Sequence, residues 1–293
     1  MKKWTDKAER GSYSLIVLIA WLARKAGRPF CRLLLYPVVA YFFLTDRTAR
    51  RASAEFLHTV GERPASWRQI FRHLYTFAAT LLDRVYMASG EFDRFEVVIE
   101  GQPLIEKALS SGRGCLLLGS HLGSFDLMML ARRAMDDRPV GIMMRIDPRA
   151  QVRRIAGIDD GVLDIIPLGR PESYLRAYER LKEGGIVALL ADRTDGTASL
   201  PADFLGRSTT MPVAPHVLAA RSEARVLVFF GVYEGANRYR IEFSEFGPTA
   251  SRDSRGVALQ PMVDRFSFLL ERAARQYPLN WFNFYPYWDA QKE

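Results

Sequence analysis

The run Gly114-Cys-Leu-Leu-Leu-Gly-Ser-His121-Leu-Gly-Ser-Phe-Asp126 sets an imidazole and a carboxylate five residues apart, directly after an apolar stretch. Imidazole is the side chain whose ordinary proton affinity lies near neutrality. A carboxylate bonded to one ring nitrogen fixes the tautomer and leaves the other nitrogen to accept a proton, which is general-base chemistry. The pair by itself also fits a histidine that caps a helix beside an ordinary first-turn acid. Ser120 and Ser124 flank it, but a serine nucleophile needs a Ser–His geometry that spacing does not supply. His58, His73 and His216 have no supporting pattern. No Cys/His spacing gathers ligands, so no metal is expected.

The elements that must position this pair follow from hydrophobic periodicity. Residues up to about 90 read as helical, with a break at Pro37, a loop at Gly61–Pro64 and a helix over Trp67–Tyr86. Strands are expected at Phe95–Glu100 and Cys115–Gly119, with a helix over Pro103–Ser110 between them. Ser124 is a candidate cap for a helix reaching Arg132. His121 would then stand at a strand-to-helix junction, where sheet proteins place reactive groups.

Alternation continues with a strand at Val140–Arg145, a helix at Glu172–Glu183 and an apolar strand at Ile186–Ala191 that runs into Asp192. Met211–Ala220 reads as a helix, Arg225–Val232 and Arg238–Phe243 as strands, and Ala258–Gln276 as a closing helix. The fold class is therefore α/β: a mixed sheet flanked by helices in an α/β sandwich. The helical N-terminus, residues 1–50, is an addition to a second unit of residues 51–293 that carries the chemistry.

Composition constrains partners. The 293 residues are 48% hydrophobic and 25% charged, ordinary globular proportions. Seven of the eight net positive charges fall in residues 1–60, with eleven Lys/Arg against four Asp/Glu. They interleave with the apolar runs Leu15–Ala23 and Leu33–Leu44, each short of the roughly 20 residues a spanning helix needs. Arg24, Lys25, Arg28 and Arg32 lie between the runs and would be costly at mid-membrane. This pattern suits membrane-associating helices lying on an anionic surface, although buried core helices would share it. The rest of the chain is nearly neutral, which argues against nucleic acid as a partner. Cys31 and Cys115 sit in apolar runs and read as buried free thiols. No small-residue cleavage site follows the first apolar run, so secretion is not expected.

The chain resembles the lysophospholipid acyltransferase superfamily through its His-x4-Asp motif at His121–Asp126. It is most similar to the branch of lipid A late (lauroyl/myristoyl) acyltransferases and their relatives in polyene and glycolipid pathways. The resemblance extends over Met144-Arg145, Ile165-Ile166-Pro167-Leu-Gly-Arg170, Leu190-Ala-Asp192 and Pro201-Ala-Asp-Phe204-Leu205-Gly206-Arg207. It departs where that branch commonly has Glu and this chain has Asp126. Another departure is Asp192-Arg-Thr194 where the branch commonly reads Asp-Gln-Asp.

The resemblance implies acyl transfer from an acyl carrier protein or acyl-CoA donor to a hydroxyl of a lipid or glycolipid acceptor. The place implied is the cytoplasmic face of the inner membrane, in peripheral or monotopic association, with no cofactor. It makes His121 the general base and Asp126 its orienting partner. Arg145, Arg170, Asp192, Phe204, Gly206 and Arg207 become substrate-binding residues, with Arg145 and Arg170 toward a phosphate or the oxyanion and Phe204–Arg207 along the path of substrate and acyl chain. A thioesterase using the same base on water and a non-enzymatic membrane-surface binding protein are the alternatives.

Overall fold

Cys115–Gly119 is buried at every position, and five such residues in succession require covering layers on both faces of a sheet. The computed structural model, which describes residues 13–131, 140–145, 163–194, 197–247, 252–253 and 256–290, supplies them. Its main sheet contains β1 (Glu96–Glu100), β2 (Cys115–Gly119), β3 (Val140–Met144), β4 (Leu163–Pro167), β5 (Ile186–Leu190), β8 (Arg225–Gly235) and β9 (Arg238–Glu245), ordered β1-β9-β8-β2-β5-β3-β4. β2, β5, β3 and β4 run parallel to their neighbours, and β8 runs parallel to β2. β9 is antiparallel to β8, and β1 is parallel to β9. The sheet is thus mixed and flanked by helices, as the alternation of elements predicts.

Period-two alternation divides the core. Leu116, Leu118, Val187 and Leu189 face one layer, while Cys115, Leu117, Ile186 and Ala188 face the other. Each leucine buried here is worth about 2 kcal/mol of apolar transfer. Cys31 and Cys115 are free and buried, and burial pushes the Cys115 thiol up to about 12.

The N-terminal helices are α1 (Tyr13–Thr45), α2 (Arg47–Gly61) and α3 (Trp67–Ala88). A break at Pro37 does not occur: α1 runs through it and kinks instead at Gly27 (φ 78°, ψ 165°). Cys31, Leu35 and Val39 on the inner face of α1 are buried, and this packing offsets the hydrogen bond lost at Pro37. Arg28 and Arg32 are turned inward. Arg28 spans the Asp83 carboxylate at 2.7 and 2.8 Å, Arg32 donates to it at 2.6 Å, and Tyr239 adds its hydroxyl at 2.7 Å. Asp83 is wholly buried, so these arginines fasten α1 to α3 and β9. The outer face of α1 carries Leu33, Tyr41 and Leu44 at 64%, 62% and 71% exposure.

Among the described residues no single helix is long and apolar enough to cross a membrane. Lys25–Thr45 and Arg47–Gly61 pass that test only together, and they meet at a 94° bend.

A second departure concerns Met211–Ala220. Only the part from Ala214 is helical (α7, Ala214–Ser222); Met211 and Pro212 belong to β7 (Arg207–Pro212), paired antiparallel with β6 (Ser199–Phe204). Leu205 and Gly206 both have positive φ, 55° and 72°. That makes the connection a two-residue turn whose twist matches a hairpin. The remaining helices are α4 (Gln102–Ser110), α5 (Met128–Ala131), α6 (Pro171–Lys182), α8 (Gln260–Gln276) and α9 (Tyr287–Ala290).

Candidate active site

Register brings His121 and Asp192 together at the carboxyl edge of the sheet. β2 and β5 are parallel with Gly119 opposite Leu190, so His121 and Asp192 each stand two residues beyond a matched pair. β3 lies beside β5 with Met143 opposite Leu189, and β4 beside β3 with Met144 opposite Pro167. Arg145 and Arg170 therefore leave the same carboxyl edge of the sheet, where open α/β sheets bind ligands. Both arginines are exposed, and Arg170 is the N-cap residue of α6.

His121 Nδ1 lies 2.9 Å from Asp192 Oδ1, and the His121 backbone N–H donates to Oδ2 at 3.0 Å. Asn283 Nδ2 donates to Oδ2 at 3.3 Å, and the Tyr287 hydroxyl donates to the Asp192 carbonyl at 2.9 Å. Asp192 is 0% exposed. Burial pushes its proton affinity up, but the charge and hydrogen bonds of His121, with Arg193 nearby, outweigh it and hold the carboxyl at about 2. An ionised carboxylate only accepts. His121 therefore carries its proton on Nδ1, and Nε2 bears the lone pair.

The loop around His121 is held by backbone contacts. Gly123 N–H donates to the Asn280 carbonyl at 2.6 Å, Ser124 N–H to Gly231 at 2.7 Å, and Phe282 N–H to the His121 carbonyl at 2.8 Å. Gly123 has φ 78°, and a Cβ there would fall 1.9 Å from the Gly231 oxygen, so glycine alone permits this approach. Ser120 Oγ is buried and accepts from the Leu122 N–H at 3.1 Å.

The expected helix from Ser124 to Arg132 begins as a 3-10 turn, Phe125–Leu127, which holds the Asp126 backbone, and continues as α5. Arg132 and the Asp126 side chain lie outside the described residues.

The structure joins His121 to Asp192, whose carboxylate is enclosed behind the imidazole. Phe204 is wholly buried, with its ring 4.9 Å from Trp281 and 6.2 Å from Trp288. Gly206 forms the hairpin turn, and Arg207 bonds Glu55 at 2.5 Å and lies 4.2 Å over the Trp288 ring. Phe204 and Arg207 brace the C-terminal aromatic run, residues 280–288.

That run packs in the core, with Trp281, Tyr287 and Trp288 all buried, and it also reaches the site. Asn280, Phe282, Asn283 and Tyr287 were not among the expected site residues. Their signal was two asparagines set among aromatics, since a buried amide must find partners. His73 secures the run from α3. Its Nε2 lies 3.0 Å from the Trp281 carbonyl, and its Nδ1 is 2.9 Å from Ser53 Oγ.

Residues 2–289 match the model of the bacterial lipid A biosynthesis acyltransferase family. The chain belongs to that family. It is an acyltransferase, in the branch that its motifs resemble. Among curated proteins it is similar to the phosphatidylinositol mannoside acyltransferase of Mycobacterium tuberculosis, strain H37Rv. The two are 27% identical over 229 residues, covering 76% of this chain and 67% of the relative. The enzyme of that name from Mycolicibacterium smegmatis is 26% identical over 186 residues, 62% of this chain and 59% of the relative.

Proposed function

We propose that this acyltransferase moves an acyl chain from a carrier thioester to a hydroxyl of a lipid or glycolipid acceptor, with His121 as general base. The observation that carries this reading is the 2.9 Å contact between His121 Nδ1 and the buried Asp192 carboxylate. His121 Nε2 takes the hydroxyl proton as the acceptor oxygen attacks the thioester carbonyl carbon. The C–S bond then breaks, and the imidazolium returns the proton to the leaving thiolate. Asp192 orients the imidazole and stabilises its charged form, so it acts through His121 rather than on substrate. Asp126, on the adjoining turn, is the second carboxylate assigned to this base. Arg145 and Arg170, on the same sheet edge, suit an anionic substrate group or the developing oxyanion.

An acyl carrier protein donor fits the basic character of the chain, because acidic carriers approach a positive surface faster. The mycobacterial relatives, phosphatidylinositol mannoside acyltransferases, favour a glycolipid acceptor. The exposed apolar face of α1 would lie in the interface of an anionic inner membrane, on its cytoplasmic side, as a peripheral or monotopic contact.

The test is lipid mass spectrometry of cells with the protein, without it, and with His121→Ala. A lipid species gaining one acyl chain only with the wild type supports the proposal and identifies the acceptor. Undiminished acylation by His121→Ala would overturn the mechanism. Free fatty acid released from acyl carrier protein by the purified protein, with no acylated lipid, would replace transfer by hydrolysis.

A further inference from the structure

Asn283 is buried, and its side chain bridges two charged groups. Nδ2 donates to Asp192 Oδ2 at 3.3 Å, while Oδ1 accepts from Arg193 Nε at 2.7 Å. A guanidinium has donors only, so the carboxamide oxygen must face Arg193 and its NH2 must face Asp192. Arg193 is fixed in turn: its Nη2 donates to the Phe282 carbonyl at 3.3 Å, and its guanidinium lies 5.2 Å from the Tyr285 ring centre. Phe282 and Asn283 are consecutive, and each holds one member of the pair. The Phe282 N–H bonds the His121 carbonyl at 2.8 Å, and the Asn283 amide bonds the Asp192 carboxylate.

We infer that Arg193 and Asn283 are positioning residues that set how strongly Asp192 holds the His121 imidazole. Without Arg193 the amide can turn its oxygen toward Asp192, placing an acceptor against a carboxylate. Without the Asn283 donor, the Asp192 charge acts more strongly on the imidazole and favours its protonated form. The charged and titratable groups described around the pair are Arg193, Tyr285 and Tyr287. The effect on turnover rests on the acyl-transfer reading; the effect on the imidazole does not.

The experiment is an NMR titration of full-length protein carrying labelled histidine. The chain has four histidines, and His121→Ala identifies the signal of interest. Asn283→Leu should raise the His121 midpoint by about half a pH unit. That is a fraction of the roughly one to two units that a hydrogen bond to a charged group is worth, because the amide reaches the imidazole only through Asp192. Arg193→Met should move it in the same direction, and the double variant by less than the sum, because both act through one amide. Asn283→Asp keeps shape and volume while exchanging the donor for a carboxylate, and should raise the midpoint further; it serves if the leucine variant does not fold.

An unchanged midpoint in both Asn283 variants, or a lowered melting temperature alone, would show simple packing and overturn the inference. Turnover with palmitoyl-CoA and total bacterial lipid should fall about tenfold in kcat for Asn283→Leu with KM unchanged. If His121→Ala keeps full turnover while the midpoint still shifts in the Asn283 variants, the acyl-transfer mechanism fails and the positioning inference stands.

Discussion

His121 and Asp192, 71 residues apart in sequence, lie side by side because each follows by two residues a matched pair on adjacent parallel strands, Gly119 and Leu190. Asp192→Asn keeps the shape but can offer the imidazole an N–H where it needs an acceptor, which disfavours the productive tautomer. Transfer measured as acylated product should fall by roughly 10²–10⁴-fold. His121→Ala should lose at least as much, with a thermal melt close to wild type because the side chain is partly exposed. An active Asp192→Asn enzyme would remove Asp192 from the mechanism.

Gly123 and Gly231 come so close that a side chain at position 123 meets the Gly231 carbonyl. Gly123→Ala should therefore cost about 2 kcal/mol or more and displace the His121 loop. Urea unfolding and transfer assays on one preparation should show both losses. A fully active, fully stable variant would mean that the loop accommodates the methyl group by moving elsewhere.

The outer face of α1 gives a separable prediction. The triple substitution Leu33→Glu, Tyr41→Glu and Leu44→Glu touches three exposed positions and leaves the Asp83 mount of Arg28 and Arg32 in place. Co-sedimentation with phosphatidylglycerol vesicles should drop at least tenfold, since each charge placed in the interface opposes burial of the apolar face. Circular dichroism should be unchanged. Equal sedimentation of both proteins would exclude this face as the membrane contact.

Acid should weaken the fold above the range where carboxylates titrate. Burial, opposed in part by the Trp281 carbonyl, lowers His73 to about 4; burial, opposed in part by the Pro212 carbonyl, does the same to His216. Between pH 6.5 and 4 the unfolded chain binds these protons and the native protein does not, so stability rises with pH across that window. It is fully present above 6.5 and is lost as pH falls toward 4, by up to about 3 kcal/mol for each histidine. Thermal melts from pH 7 to 4 should show the slope, and His73→Gln should reduce it. A flat profile would contradict burial of the neutral rings.

The strand and helix pattern was legible because the apolar runs at Cys115–Gly119 and Ile186–Leu190 have the length and continuity of doubly covered strands. Short-range backbone geometry was less legible. Pro37 reads as a break, yet the inner face of α1 packs well enough to carry the helix through, and the kink falls at Gly27 where φ is positive. Arg28 and Arg32 read as surface charge because Asp83, their partner, lies 51 or more residues away. The Leu205-Gly206 turn was not legible, since the pairing of β6 with β7 across it depends on two positive φ values.

By itself the sequence determined the family and the α/β class and singled out His121, Asp126 and Asp192 as candidate site residues, because residue type and local periodicity carry that information. Only the tertiary structure decided that the buried Asp192 carboxylate meets Nδ1, and that Asn283 and Phe282 from the chain's far end hold the pair. The reason is physical: strand register and burial are set by pairings across the whole sheet, and a hydrogen bond between residues 71 apart leaves no mark in their local spacing.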